Sequence, residues 1–119
     1  LTQQRKISDM AITRKRTVEQ AVLALVPDIP VKDLAEVASK ALHTPAFRRA
    51  APETAAWLSL VAYVRHSFTQ YDAMLNDGYD RDSARHFCLE RINQVLGAWG
   101  GRRLVSDAPE EDEAQEAQA

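Results

Sequence analysis

A single cysteine, Cys88, among 119 residues rules out an internal disulfide, and its apolar neighbours suit a buried thiol in a reducing compartment. No apolar run approaches the roughly 20 residues that a membrane-spanning helix needs, and no charged-then-apolar leader stands at the N-terminus. The expected location is the cytoplasm, with no membrane partner. Leu1 in place of a start methionine leads us to expect a piece of something longer. Glycine nowhere clusters into a phosphate-cradling loop, and no alternating pattern reads as a strand. The three histidines include no pair at His-x-x-x-His spacing and Cys88 lacks an activating neighbour, so neither a metal site, a thiol nucleophile nor a cofactor is expected.

Net charge is also small, at −2, but it is polarised. Residues 1–16 carry Arg5, Lys6, Arg14, Lys15 and Arg16 against Asp9 alone, whereas 107–119 hold six acids and no base. The acidic end lacks any large apolar residue, cannot offset the entropy of ordering, and is expected to be disordered; the alternative is that it folds back on the basic arm or on a basic surface as an internal competitor for an anionic ligand. The length allows one domain with a modest core. The expected division is a flexible basic arm over 1–16, a helical domain over 17–103 and an acidic tail over 104–119.

Thr17 followed by Gln20 reads as a capping-box start, and Val18, Val22, Leu25 and Val26 give a short amphipathic helix that stops at Pro27. A second helix runs from about Pro30 with Leu34, Val37, Ala38, Ala41 and Leu42 on one face. Thr44-Pro45 opens a single turn through Phe47, and Ala51-Pro52-Glu53 starts the next element in the same way. Trp57, Val61, Val64, Phe68, Tyr71, Leu75 and Gly78 alternate spacings of four and three, which predicts one long helix over about 53–77. Ser67 and Thr69 offer the alternative of a break with a fresh cap at Thr69. Asp80 caps a last helix with the stripe Ala84, Cys88, Ile92, Val95, Leu96 and Trp99, ending at Gly100-Gly101. The expected fold is all-α: a small bundle centred on an antiparallel hairpin, about 53–77 and 80–98, covered by shorter N-terminal helices.

Arg81 and Arg85 fall on the inward stripe of the last helix, where a charge needs a partner. On a continuous preceding helix Arg65, Thr69, Asp72 and Asn76 form a polar stripe, and antiparallel pairing places Asp72 near Arg85. One reading is therefore a structural Asp72–Arg85 clamp supported by Thr69, Tyr71 and Arg81. The other is an anion site in which Arg65, Arg81 and Arg85 line a shallow recess near the N-terminus of the last helix. His66 is expected to be hydrogen-bonded rather than catalytic, while His43 and His86 have no special role.

The order Val64-Arg65-His66, Thr69, Tyr71-Asp72, Met74-Leu75, Gly78, Arg81, Ala84-Arg85, then Val95-Leu96 and Trp99 resembles the domain of unknown function 2293 family over about 57–99. The resemblance implies that Arg65, His66, Thr69, Tyr71, Asp72, Arg81 and Arg85 are its signature positions, and it implies no activity. Three classes of function follow from the residues. A binding module for nucleic acid, an acidic protein or another anionic partner uses Arg48, Arg49, Arg65, Arg81, Arg85 and the basic arm, although the balanced middle of the chain argues against a nucleic-acid domain. An enzyme or small-ligand protein uses His66 and Asp72 as acid–base groups. A structural module associates with other proteins or with its own copy through Trp57 and Trp99. Convergence of two or more of the signature arginines on one pocket favours the first two.

Overall fold

The computed structural model describes residues 2–107, and all of its regular structure is helical: α1 (Thr2–Leu25), α2 (Val31–His43), α3 (Pro52–Phe68), α4 (Tyr71–Asn76) and α5 (Arg81–Ala98). The expected all-α bundle is what forms. Its centre is α3, which starts with Pro52 in the first turn, where a missing N–H costs nothing. Every residue from 55 to 62 is buried, so this helix is enclosed on all sides. Three apolar stripes enclose it: Val18 and Val22 of α1 with Val26 just after it, Val37, Ala38 and Ala41 of α2, and Ala84, Cys88, Ile92, Val95 and Leu96 of α5.

Three expectations are corrected here. The first helix begins at Thr2, not at Thr17. No proline or glycine interrupts 2–26, and the Thr17 hydroxyl donates back to the Thr13 carbonyl at 2.9 Å instead of capping. The basic segment is thus the first half of α1, and Arg14 ties it to the 44–50 turn by donating to the carbonyls of Phe47 at 3.3 Å and Ala50 at 2.8 Å.

The long helix over 53–77 is broken, and the alternative at Thr69 is the one realised. The Thr69 hydroxyl donates to the Arg65 carbonyl at 2.5 Å and accepts the Tyr71 N–H at 3.1 Å, so one side chain replaces ladder bonds on both sides of the joint. Thr69 itself is extended, at φ −130° and ψ 173°. Arg91 of α5 donates its Nε–H to the Phe68 carbonyl at 3.2 Å and so satisfies the end of α3. The apolar spacing runs through the break because α4 still packs on α5.

The packed chain also extends past 103. Gly100 takes φ +83°, as only glycine does at little cost, and the Asp28 N–H donates to the Trp99 carbonyl at 2.8 Å. Residues 101–107 then return along α5 as a strap. The guanidinium of Arg103 lies 3.9 Å from the centroid of the Trp57 ring. The Asn93 side chain donates to the Val105 carbonyl at 3.1 Å and accepts its N–H at 2.8 Å, and the Val105 side chain is buried. Residues 104–107 therefore belong with the helical domain, because Val105 supplies apolar surface that the α5 groove covers. The rest of the expected acidic tail, 108–119, lies outside the described residues.

Candidate functional site

The end of α3, the first half of α5 and the end of the strap meet at one place. Arg65, in the last turn of α3, is 3% exposed and its guanidinium carbon lies 5.4 Å from the centroid of the Tyr71 ring. Arg85, one turn into α5, is oriented inward as its place on the stripe predicts, with 19% of its side chain exposed. Its Nε is buried with no hydrogen-bond partner among the described residues, and one terminal nitrogen stands 4.0 Å from Asp82. Together with Leu89, Ile92, Val105, Ser106 and Asp107, the two arginines line a cavity of about 20 Å³. That is room for about one water molecule. A second, open basin of about 330 Å³ is lined by Asp82, Arg85, His86 and Asp107. Arg85 and Asp107 are common to the two spaces.

The Asp72–Arg85 clamp does not form. Asp72 is 61% exposed and its carboxylate meets Nδ1 of His66 at 2.7 Å. The break at Thr69 is the cause: it reorients α4, so Asp72 faces back over the last turn of α3 instead of across to α5. His66 is hydrogen-bonded as expected and stands edge-on to Tyr71, with ring centroids 5.5 Å apart. The carboxylate orients the imidazole, which is what an acid–base pair requires. Yet among the described residues no hydroxyl or thiol is hydrogen-bonded to that ring.

Six of the seven signature positions thus divide into two groups, and Arg81 stands apart. His66, Thr69, Tyr71 and Asp72 build the α3–α4 joint, with the buried Tyr71 ring between Arg65 and His66. Arg65 and Arg85 line the cavity, whereas Arg81, exposed at the first position of α5, lies outside it. The N-terminus of α5 is capped by its own Asp80, whose carboxylate accepts the Ser83 N–H at 2.8 Å and is held below its usual range by that bond.

Sequence reasoning missed the residues that complete the site. His86, expected to have no role, has its Nδ1 3.0 Å from an Asp107 carboxylate oxygen, and Asp107 was assigned to a disordered tail. Val105, the last large apolar residue before the acidic run, was the available signal for an ordered strap. Also unanticipated is the hydrogen bond from the Tyr63 hydroxyl to Asp33 at 2.5 Å, which joins α3 to α2. Burial and that carboxylate push the tyrosine up to about 12. Among the described residues His43 is bonded locally, to the Ser39 carbonyl at 2.9 Å and the Ser39 hydroxyl at 3.4 Å.

Cys88 is buried, with its sulfur 4.0 Å from that of Met74. Among the described residues no group of three or more His, Cys, Asp or Glu side chains could hold a metal ion, and no helix is long and apolar enough to cross a membrane. The two tryptophans offered as an association surface are engaged within the chain: Trp57 is buried beneath Arg103, and Trp99 packs edge-on against Phe68 at 5.5 Å.

Neither a search of curated proteins nor one of solved structures finds a match. A family model does match, over residues 21–100, and that span runs from α1 through α5 and takes in the joint, Arg65 and Arg85. The chain therefore belongs to the family described as Uncharacterized conserved protein (DUF2293).

Proposed function

We propose that this domain is a binding module that receives an acidic group of a partner, a carboxylate or a phosphoryl, between Arg65 and Arg85. The observation that carries the reading is the convergence of these arginines, from two helices, on one cavity, with Arg85 also lining a basin beside His86. An arginine as deeply placed as Arg65 is expensive to keep for stability alone, since an apolar side chain of its volume fills such a position at no desolvation cost. Planar guanidinium groups in a partly dehydrated recess favour carboxylate and phosphoryl oxygens. Leu89, Ile92 and Val105 line the same recess and keep bulk water away from the ion contacts.

Nucleic acid is the second reading, and a different surface favours it. Arg48 and Arg49 are exposed on the turn that Arg14 fastens to α1. A phosphate backbone lying there gives binding that falls steeply with salt. Fluorescence anisotropy of labelled oligonucleotides and of a labelled oligoglutamate peptide separates the two, using Arg85→Ala and Arg48→Ala/Arg49→Ala variants. The acidic-group reading expects peptide binding that Arg85→Ala removes. Oligonucleotide binding lost only in the Arg48/Arg49 variant moves the function to the other surface.

A further inference from the structure

The cavity between the arginines holds about 20 Å³, too little for a carboxylate or a phosphoryl group, so nothing of that size enters while its walls stand as they do. Three of the seven lining residues, Val105, Ser106 and Asp107, belong to the strap and the other four to helices α3 and α5. Those helices are fixed by core packing, whereas the strap has no ladder of its own. The contacts that hold its end include the paired Asn93–Val105 hydrogen bonds, burial of Val105, and the exposed Asp107–His86 contact at 3.0 Å. Asp107 also borders, with Arg85, both the cavity and the basin, and its carboxylate is paired with His86.

Resting on the reading of the arginine recess as an acid-group site, we propose that the strap is its built-in competitor: the Asp107 carboxylate stands where the partner's acid binds, and binding displaces residues 105–107. The weakest element gives way first. An exposed ion pair such as Asp107–His86 contributes little, so releasing the Asp107 contact costs little. The Asn93 clip sets how far the opening extends. A ligand's acid group then replaces Asp107 beside Arg85, and lifting Val105 gives it access to Arg65. Affinity is reduced by the fraction of molecules in which the strap is closed.

The test is anisotropy of a labelled oligoglutamate peptide with the full chain, as wild type, Asp107→Asn, Asn93→Ala and Arg85→Ala, each checked for folding by circular dichroism. Asp107→Asn is expected to tighten binding by up to about fivefold, the ratio that an exposed ion pair corresponds to. Asn93→Ala changes no charge, so a gain there, up to about tenfold for the lost hydrogen bonds, separates displacement of the strap from simple removal of a negative charge. Hydrogen exchange at the Val105 amide in the wild type is expected to quicken when peptide is added. Equal or weaker binding by folded Asn93→Ala, with wild-type binding that Arg85→Ala still removes, overturns the competitor role and leaves the acid-group site standing. Absence of binding by the wild type and by both strap variants overturns the site itself and the strap proposal with it.

Discussion

Replacing Gly101 by alanine tests how the strap is started. A Cβ built on Gly101 falls 2.8 Å from the Leu96 carbonyl oxygen and 3.2 Å from Cγ1 of Val26. The first neighbour is backbone at the end of α5, and the second is a fully buried core side chain, so neither can rotate away. Gly101 also donates its N–H to that same Leu96 carbonyl at 2.8 Å, and relieving the clash stretches this bond. Overpacking costs about 1–3 kcal/mol and a weakened backbone hydrogen bond about 1 kcal/mol more. The expected loss is therefore about 2–4 kcal/mol, out of the roughly 5–15 kcal/mol typical of a domain. In a domain of this size about 1 kcal/mol moves the melting temperature by about 4–8 °C, so the drop should exceed about 8 °C. Urea denaturation with an unchanged slope is the assay. A loss below about 0.5 kcal/mol refutes the close approach and, with it, the account of how the strap is aimed along α5. Gly100→Ala is a useful companion. Its Cβ meets the far end of the Asp28 side chain at 2.8 Å, which can move, so the cost there comes mainly from holding φ +83° with a side chain, about 1–2 kcal/mol.

The remaining predictions concern the joint and the α2–α3 contact. Asp72→Ala should cost under about 1 kcal/mol in urea denaturation, because its only charged contact among the described residues is an exposed one to His66; a loss above about 2 kcal/mol signals a buried clamp after all. Thr69→Val removes both hydrogen bonds of the joint with little change in volume, so we expect about 1–2 kcal/mol of destabilisation and faster exchange of the Tyr71 amide. The raised Tyr63 contributes stability that is fully present below pH about 10 and is lost as pH rises through about 12, since the unfolded chain releases that proton first. Tyr63→Phe should flatten that part of a stability–pH curve, and an equally steep fall in the variant excludes the assignment.

Much of the fold was legible because it depends on neighbours in sequence. Asp80 caps α5, Pro52 opens α3, and Gly100-Gly101 ends the last helix, as local chemistry dictates. Val37, Ala38 and Ala41 of α2 and Ala84, Cys88, Ile92, Val95 and Leu96 of α5 are buried as their spacing predicts, with Leu34, Leu42 and Trp99 of the same stripes half-buried. The start of α1 was misplaced because Thr17 can cap a helix or sit inside one, and the choice depends on residues before it. The break at Thr69 was offered but not preferred, since period alone cannot distinguish one helix from two that share a packing face. The Asp72–Arg85 pairing was then inferred from a continuity that does not exist. The inward turn of Arg85 and its meeting with Arg65 were foreseeable from the same wheel, because they rest on α5 and the last turn of α3, both of which are regular. The strap was not legible: Asn93 to Val105, Trp57 to Arg103 and His86 to Asp107 are contacts across sequence distance that no periodicity encodes.

The most direct test of the arginine recess is to follow the side-chain Nε–H resonances of Arg65 and Arg85 by nuclear magnetic resonance while inorganic phosphate, then acetate, is titrated into the full chain. The account predicts saturable shifts of both resonances that weaken as sodium chloride is raised, with Arg48 and Arg49 moving far less. Unmoved Arg65 and Arg85 resonances throughout the titration, with the anions shifting only exposed basic residues, contradict it.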